Sequence, residues 1–227
     1  GLQWVISGYA LTLAALTVTG GRLGDLYGRK KLFMVGAIIF AIGSFVTSIS
    51  HSLGMMISGE AVIEGIGAAL MMPATASLLV SNYKGRDRAL AFGVWGGIAA
   101  ASSAIGPIVG GFLTSHYSWR WAFRINVFVA VVLLLGALLI KESRDRAEKT
   151  ELDWLGVFLS ASGLFAFVYG IIESSSYGWW KLTHSYTLFG HSLPFGLSPT
   201  PYGVIVGALL LFAFGWWQNN AENHGHT

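Results

Sequence analysis

Seven long apolar runs, separated by polar connections, dominate the sequence. A helix that crosses the hydrocarbon core of a bilayer needs about 20 mostly apolar residues, and only a helix or a closed barrel can satisfy its own backbone polar groups there. The pattern therefore predicts an all-α fold, a polytopic membrane helix bundle. The predicted spans are Leu2–Gly20, Leu32–Ser50, Met55–Ser81, Ala89–Ser115, Trp121–Ile140, Trp154–Ile172 and Tyr202–Trp217.

The Lys and Arg residues fall mainly in alternate connections between these spans. Eleven lie in the connections that follow the first, third and fifth spans, and three lie on the other side. Such an excess marks the cytoplasmic side of a membrane protein. We therefore expect Gly1 and the long loop Glu173–Pro201 to lie outside, and the charged stretch Lys141–Asp153 to lie inside.

The composition supports a membrane protein and removes several classes of function. Of 227 residues, 54% are apolar and 11% are charged, against roughly 25% charged in a soluble domain. The chain has no cysteine, which excludes disulfides, thiol nucleophiles and zinc sites of the Cys type. It contains no nucleotide-binding loop, zincin helix or nucleophile elbow, so we predict neither an enzyme nor a cofactor.

Metal and nucleic-acid binding are not predicted either. His224 and His226 make an incomplete metal site, since structural zinc takes four ligands. The basic residues are divided among separate connections, so we expect no nucleic-acid partner.

The first connection carries charged residues between glycines. Residues 21–31 read GRLGDLYGRKK, which allows Asp25 to pair with Arg29 or with a nearby helix N-terminus. The segment resembles the signature loop G-x-L-x-D-x-x-G-R-[RK] of the major facilitator superfamily of transporters, except that Leu26 stands where Arg is often found. The resemblance implies a conformational latch, whose charges pair and separate as two halves of a transporter rock. An ordinary cytoplasmic loop is the alternative. The latch residues are Gly21, Asp25, Gly28, Arg29 and Lys30.

The fourth span contains small residues around a proline. Pro107 removes a backbone donor and favours a kink, and the neighbouring glycines allow another helix to approach closely. Residues 102–111, SSAIGPIVGG, resemble the G-x-x-x-G-P-x-x-G-G signature of drug:proton antiporters in the same superfamily, with Ser102 at the first glycine. The resemblance implies a helix that seals the central cavity against proton leak, and general small-residue packing is the alternative. The motif residues are Gly106, Pro107, Gly110 and Gly111.

Two further stretches resemble the fourteen-span subfamily of these antiporters. Residues 119–126, WRWAFRIN, resemble its W-R-W-x-F-x-I-N stretch, for which we expect a structural role and a cation–π contact between Arg120 and its flanking indoles. Residues 153–156, DWLG, resemble the start of one of its central spans.

The resemblance covers nearly the whole chain and implies a domain organisation. Residues 1–140 would form the N-terminal transporter bundle without its first span, and residues 141–153 a charged cytoplasmic linker. Residues 154–217 would form two additional central spans with a long outer loop, followed by a polar cytoplasmic tail at 218–227. Because the chain begins with Gly1 and not with Met, we expect an internal fragment that carries the family's second to eighth spans.

The third span carries two acidic residues, Glu60 and Glu64. Four residues apart, they share one face of an α-helix. A carboxylate in a membrane helix is costly, so it should face the bundle interior or a water-filled cavity, often in a proton relay. The superfamily usually has R-x-x-Q-G here, whereas residues 61–65 read AVIEG, so the Arg is missing and Glu64 replaces the Gln.

We therefore predict that Glu64, with Glu60 as the second candidate, carries the coupled proton. The alternative is that Glu60 is solvated at the outer interface and that Glu64 only bonds a neighbouring helix. Glu173, at the end of the sixth span, is expected to be solvated.

The resemblance as a whole implies a secondary active transporter of the plasma (inner) membrane. It would export drugs or other apolar or cationic small molecules, with the proton gradient as its energy source. The expected partners are protons, a small-molecule substrate and the lipid bilayer, and the oligomeric state is left open. Two alternatives remain: a metabolite or siderophore exporter of the same superfamily, and a non-transporting membrane sensor or scaffold.

Overall fold

A computed structural model of the chain describes residues 3–143, 152–182, 187–188, 191–192 and 197–223. The helices are α1 (Gln3–Tyr27), α2 (Arg29–Ser48), α3 (Leu53–Met56), a π-helical segment (Ile57–Glu64), α4 (Gly65–Asn82), α5 (Gly85–His116), α6 (Arg120–Ala137), α7 (Trp154–Tyr177) and α8 (Pro199–Asn223). Two short antiparallel strands, β1 (Thr187–Leu188) and β2 (His191–Ser192), lie between α7 and α8. His224, His226 and residues 144–151 of the predicted linker lie outside the described residues.

Among the described residues, seven helical stretches are long and apolar enough to cross a membrane, which confirms the predicted all-α polytopic fold. The segments α3, π and α4 form one continuous stretch, Leu53–Asn82. The main difference from prediction lies in the first connection, because α1 continues to Tyr27 and α2 begins at Arg29. Gly28 alone breaks the helix, with a φ of 112° that glycine adopts without a Cβ clash.

The chain divides into two compact units. The first consists of Gly1–Ala10 with Gly20–Ala147, and the second of Leu11–Thr19 with Glu148–Thr227. In the first unit α2 is central and packs against the π segment, α4 and α6. In the second unit α7 and α8 pack against each other.

Glycines bring α2 into backbone contact with the neighbouring span. A Cβ added to Gly36 would lie 2.8 Å from the carbonyl oxygen of Gly67, and one added to Gly43 would lie 2.7 Å from the carbonyl oxygen of Gly59. We call these four residues the glycine seam. The two seam glycines of α2 are seven positions apart in the sequence, whereas those of the opposite span are eight positions apart.

The π segment accounts for this difference in spacing. Seven residues make nearly two turns of an α-helix, which has 3.6 residues per turn. A π-helix forms i→i+5 hydrogen bonds and its turns are wider. Because Ile57–Glu64 is π-helical, Gly59 and Gly67 can both face α2 although one extra residue lies between them.

In the second unit the Asp153 side chain forms hydrogen bonds that connect the start of α7 with the end of α8. Asp153 caps α7 by accepting a hydrogen bond of 2.9 Å from the backbone N–H of Gly156. Its Oδ2 also accepts hydrogen bonds from the Trp217 indole at 2.9 Å and from the Gln218 amide at 2.7 Å. Both donors lie on α8, which continues beyond the predicted end of its span at Trp217.

Candidate functional site

Glu64 lies at the end of the π segment, where three elements meet. Only 3% of the residue is exposed. The Ser44 hydroxyl of α2 donates a hydrogen bond of 2.6 Å to Oε2, and the Asn126 amide of α6 donates one of 3.2 Å to Oε1. Each carboxyl oxygen therefore has a donor from a different helix.

Glu60 lies about one turn before Glu64 on the same segment. It is half-buried, and its Oε2 atom is buried without a hydrogen-bond partner among the described residues. The Tyr9 hydroxyl of α1 lies within electrostatic range of both carboxyl groups. Because Glu60 and Glu64 lie one turn apart on the same segment, the two predicted proton-coupling residues are neighbours. We call them the acidic pair.

The hydrogen-bond donors that contact Glu64 of the acidic pair are neutral polar groups. Within the part of the chain that the structure describes, the one ion pair joins Arg29 and Asp25, so neither member of the acidic pair forms one. An amide nitrogen and a hydroxyl group can donate to a carboxylate without neutralising its charge. A carboxyl group in such a setting can gain and lose a proton without first breaking an ion pair.

Glu173 differs from the sequence prediction. We expected it to be solvated at the end of a helix, but only 5% of it is exposed. The helix α7 continues to Tyr177, so Glu173 lies inside the helix, and α8 packs along it. The prediction of a solvated Glu173 is therefore wrong.

The predicted latch residues lie on both sides of Gly28. Arg29 donates to Asp25 at 2.9 Å, one of the two pairings expected from the sequence. The Lys30 ammonium donates to the backbone carbonyl of Ile140 at 2.8 Å, just beyond α6. Gly21 packs against Pro73 of α4, since a Cβ added to it would lie 3.6 Å from that ring.

Glu142 holds the same region and was missed by the sequence analysis. Its carboxylate accepts hydrogen bonds from the backbone N–H groups of Lys30, at 2.9 Å, and Lys31, at 3.1 Å. A Cβ added to Gly28 would lie 3.0 Å from this carboxyl group. The sequence offered no signal for the contact, because Glu142 lies 112 residues after Lys30 in a charged stretch.

The residues of the antiporter motif lie on α5, which has no buried residue. Pro107 lies inside the helix, and a Cβ added to Gly106, Gly110 or Gly111 would meet no described atom within 4 Å. The motif thus forms a smooth exposed face on the first unit. Its sealing role remains a prediction.

The WRWAFRIN stretch begins α6 and forms one of the expected contacts. The Arg120 guanidinium lies 4.8 Å from the ring centroid of Trp119, as predicted, whereas Trp121 receives Arg124 instead, at 5.0 Å. Arg120 also donates a hydrogen bond of 2.7 Å to the backbone carbonyl of Ser50. The first turn of α6 is thus tied to the end of α2, and its second turn brings Asn126 to Glu64.

A cavity of about 560 Å³ in the first unit lies away from these residues. It opens between α2, α4 and the chain that follows α6, near the predicted cytoplasmic end. None of the predicted site residues lines it. The lining residues are Phe33, Thr75, Leu78, Leu79, Asn82, Tyr83, Leu139, Ile140 and Lys141.

Seven apolar helices among the described residues, a carboxyl group buried between three elements and a helix break at Gly28 next to charged residues are typical of a polytopic membrane protein. The family model described as "Major Facilitator Superfamily" matches residues 1–223. The chain belongs to this superfamily, which confirms the predicted family and, with its membrane-length helices, an integral membrane protein.

Three relatives illustrate the similarity. The tetracenomycin C resistance and export protein of Streptomyces glaucescens is 34% identical over 80% of this chain and 34% of its own length. The methylenomycin A resistance protein of Bacillus subtilis is 37% identical over 79% of this chain and 38% of its own length. An MFS-type transporter of Mycobacterium tuberculosis is 34% identical over 95% of this chain and 34% of its own length. The chain therefore spans about a third of the length of these relatives.

Proposed function

We propose that the whole protein to which this chain belongs is a proton-coupled exporter of drugs or other apolar or cationic small molecules in the plasma membrane. The observation that carries the proposal is the Glu64 carboxyl group, 3% exposed within a membrane span and hydrogen-bonded to two neighbouring helices. The relatives named for antibiotic resistance and export support the substrate class.

In this proposal Glu64 takes up a proton from one side of the membrane and releases it to the other. A ligand shifts a conformational equilibrium only through its differential affinity for the two states. In the described state Ser44 and Asn126 donate to the carboxyl group, and a conformation that lacks these donors would bind the proton with a different affinity. Release of the proton on the cytoplasmic side would leave Glu64 as a carboxylate again. This step would complete the exchange of a proton for a substrate molecule.

The other predicted residues have supporting roles. The latch residues Asp25, Arg29 and Lys30 would form their contacts in one conformation and break them in the other. The glycines around Pro107 would give α5 a smooth face for close packing against another part of the complete transporter.

The test measures export in everted vesicles that contain the whole protein. A pH gradient is imposed, and uptake of a cationic fluorescent dye is followed in wild type, Glu64→Gln and Glu60→Gln. We expect Glu64→Gln to abolish uptake driven by the pH gradient, because the glutamine side chain does not ionise and so cannot take up and release a proton, and Glu60→Gln to reduce it.

Glu173→Gln is the matched control, since it neutralises another buried acid of a membrane span. It should retain uptake. Undiminished gradient-driven uptake by Glu64→Gln would overturn the proposal.

A further inference from the structure

Asn126 is a polar side chain of α6 whose amide faces the acidic pair. The segment that precedes it was predicted to be structural, and Arg120 and Arg124 do make structural contacts, with Trp119 and Trp121. Asn126 instead donates to Glu64 Oε1 over a distance of 3.2 Å. The segment therefore ends in contact with the Glu64 carboxyl group of the π segment.

Ser44, on α2, contacts the same Glu64 carboxyl group. It is fully buried on α2 and donates to Glu64 Oε2 over 2.6 Å. One turn later on α2, Ser48 is equally buried but donates to the carbonyl of Phe45 within its own helix. Ser44 and Ser48 lie on the same helix and are equally buried, but only Ser44 donates a hydrogen bond to Glu64.

The glycine seam fixes how closely Ser44 approaches Glu64. Gly43, the residue before Ser44, leaves no space for a side chain, since an added Cβ would lie 2.5 Å from the backbone nitrogen of Glu64. The separation of the two backbones next to Ser44 and Glu64 is therefore set by close backbone contact.

We propose that Asn126 and Ser44 are positioning residues that hold the Glu64 carboxylate between α6 and α2 and set the pH at which it takes up a proton. This inference rests on the proposed role of Glu64 as proton carrier. Hydrogen bonds donated to the charged form of an acid favour that form. Removing either donor should therefore let Glu64 hold its proton to a higher pH.

The groups that face Glu64 come from its own segment and from three helices packed around it. Among the described residues, the titratable side chains within electrostatic range of Glu64 are Glu60 of its own segment and Tyr9 of α1. From α2 and α6 it receives the neutral donors Ser44 and Asn126. A change at either donor leaves the number of charged groups around Glu64 unchanged.

The test follows the titration of Glu64 itself by infrared difference spectroscopy on the whole protein in lipid. The carbonyl band of the protonated carboxyl is assigned to Glu64 by its loss in Glu64→Gln. Its midpoint pH is then compared in wild type, Ser44→Ala and Asn126→Leu, with Ser48→Ala as the matched control. We expect each donor variant to raise the midpoint by about one pH unit, because the charged form of Glu64 loses a hydrogen-bond donor that favours it.

Two further variants test whether a shift in the midpoint comes from the lost hydrogen bond to Glu64 and not from misfolding. Ser44→Cys retains a weak donor of similar size, so its midpoint should fall between those of wild type and Ser44→Ala, even if a more disruptive variant folds poorly. In a Glu64→Gln background, Asn126→Leu should cause no further change in the spectrum. Unchanged midpoints in both Ser44→Ala and Asn126→Leu would overturn the inference.

Failure of the inference and failure of the proposed function give different results. If Glu64→Gln abolishes gradient-driven export but the donor variants leave the midpoint unchanged, the positioning role is wrong and the coupling role stands. If the midpoint shifts but Glu64→Gln exports normally, the coupling role fails. A shift in Ser48→Ala as large as that in Ser44→Ala would also contradict positioning, because that serine does not touch the acid.

Discussion

The Glu142 carboxylate accepts a hydrogen bond of 2.9 Å from the backbone N–H of Lys30, in the first turn of α2. The first N–H groups of a helix have no partner within the helix, and an anion placed there also interacts favourably with the helix dipole. Gly28, at the N-cap position of α2, has no side chain that could act as the cap. The cap of α2 is therefore supplied by the chain that follows α6.

This arrangement predicts the effect of removing the cap. Glu142→Ala should lower the stability of the first unit by about 1 kcal/mol, the usual loss for a missing helix cap, and Glu142→Gln by less, because its amide oxygen still accepts. The thermal unfolding midpoint in detergent measures the change.

Lys141→Ala is the control for Glu142, since it removes an exposed neighbouring charge that forms no ion pair among the described residues. Equal midpoints for Glu142→Ala and Lys141→Ala would contradict the capping role.

A second prediction separates the latch from stability. The ion pair of Asp25 and Arg29 is partly exposed and joins residues four apart on the chain, and such pairs contribute only about 0.3–0.5 kcal/mol. Asp25→Asn should therefore leave the unfolding midpoint within about a degree of wild type. If the latch proposal is right, the same variant should strongly reduce export by the whole protein, measured in everted vesicles. Normal export by a folded Asp25→Asn protein would exclude the latch role.

A third prediction concerns the glycine seam. Gly43→Ala would place a methyl group 2.5 Å from the backbone nitrogen of Glu64, so α2 and the π segment must move apart. Overpacking of this kind costs about 1–3 kcal/mol. Gly54→Ala, on the same span as the π segment but with no described atom within 4 Å of its Cβ position, should be tolerated. The comparison uses unfolding midpoints, and a Gly43→Ala protein as stable as Gly54→Ala would refute the close packing.

A fourth prediction concerns the second unit. Trp217→Phe removes the indole N–H that donates to Asp153 over 2.9 Å, and a hydrogen bond to a charged acceptor contributes about 1.5–3 kcal/mol. Trp216→Phe changes the adjacent indole, which is 63% exposed. The thermal unfolding midpoint in detergent should fall in Trp217→Phe and not in Trp216→Phe. Equal midpoints in the two variants would argue against the hydrogen bond between Trp217 and Asp153 as a stabilising contact of α7 with α8.

The number and approximate limits of the membrane helices follow from the sequence, because the length of an apolar run is a local property. The pairing of Asp25 with Arg29 could also be predicted, since the two residues are only four positions apart. Contacts between segments that are distant in the sequence could not be predicted. Glu142, Ser44 and Asn126 carry no local signal of their partners, and the burial of Glu173 depends on α8 packing over a helix that continues past its predicted end.

The extra residue in the π segment has a consequence for comparing this chain with its relatives. In a regular α-helix one inserted residue rotates everything beyond it by about 100°. The wide turns between Ile57 and Glu64 absorb that rotation here, so the surfaces before and after the segment still face α2. A homologue with an uninterrupted α-helix at this point would need one residue fewer between its two seam glycines. Equivalence of side chains across this span is therefore defined by the glycines that touch α2, and not by counting residues from Glu60 or Glu64.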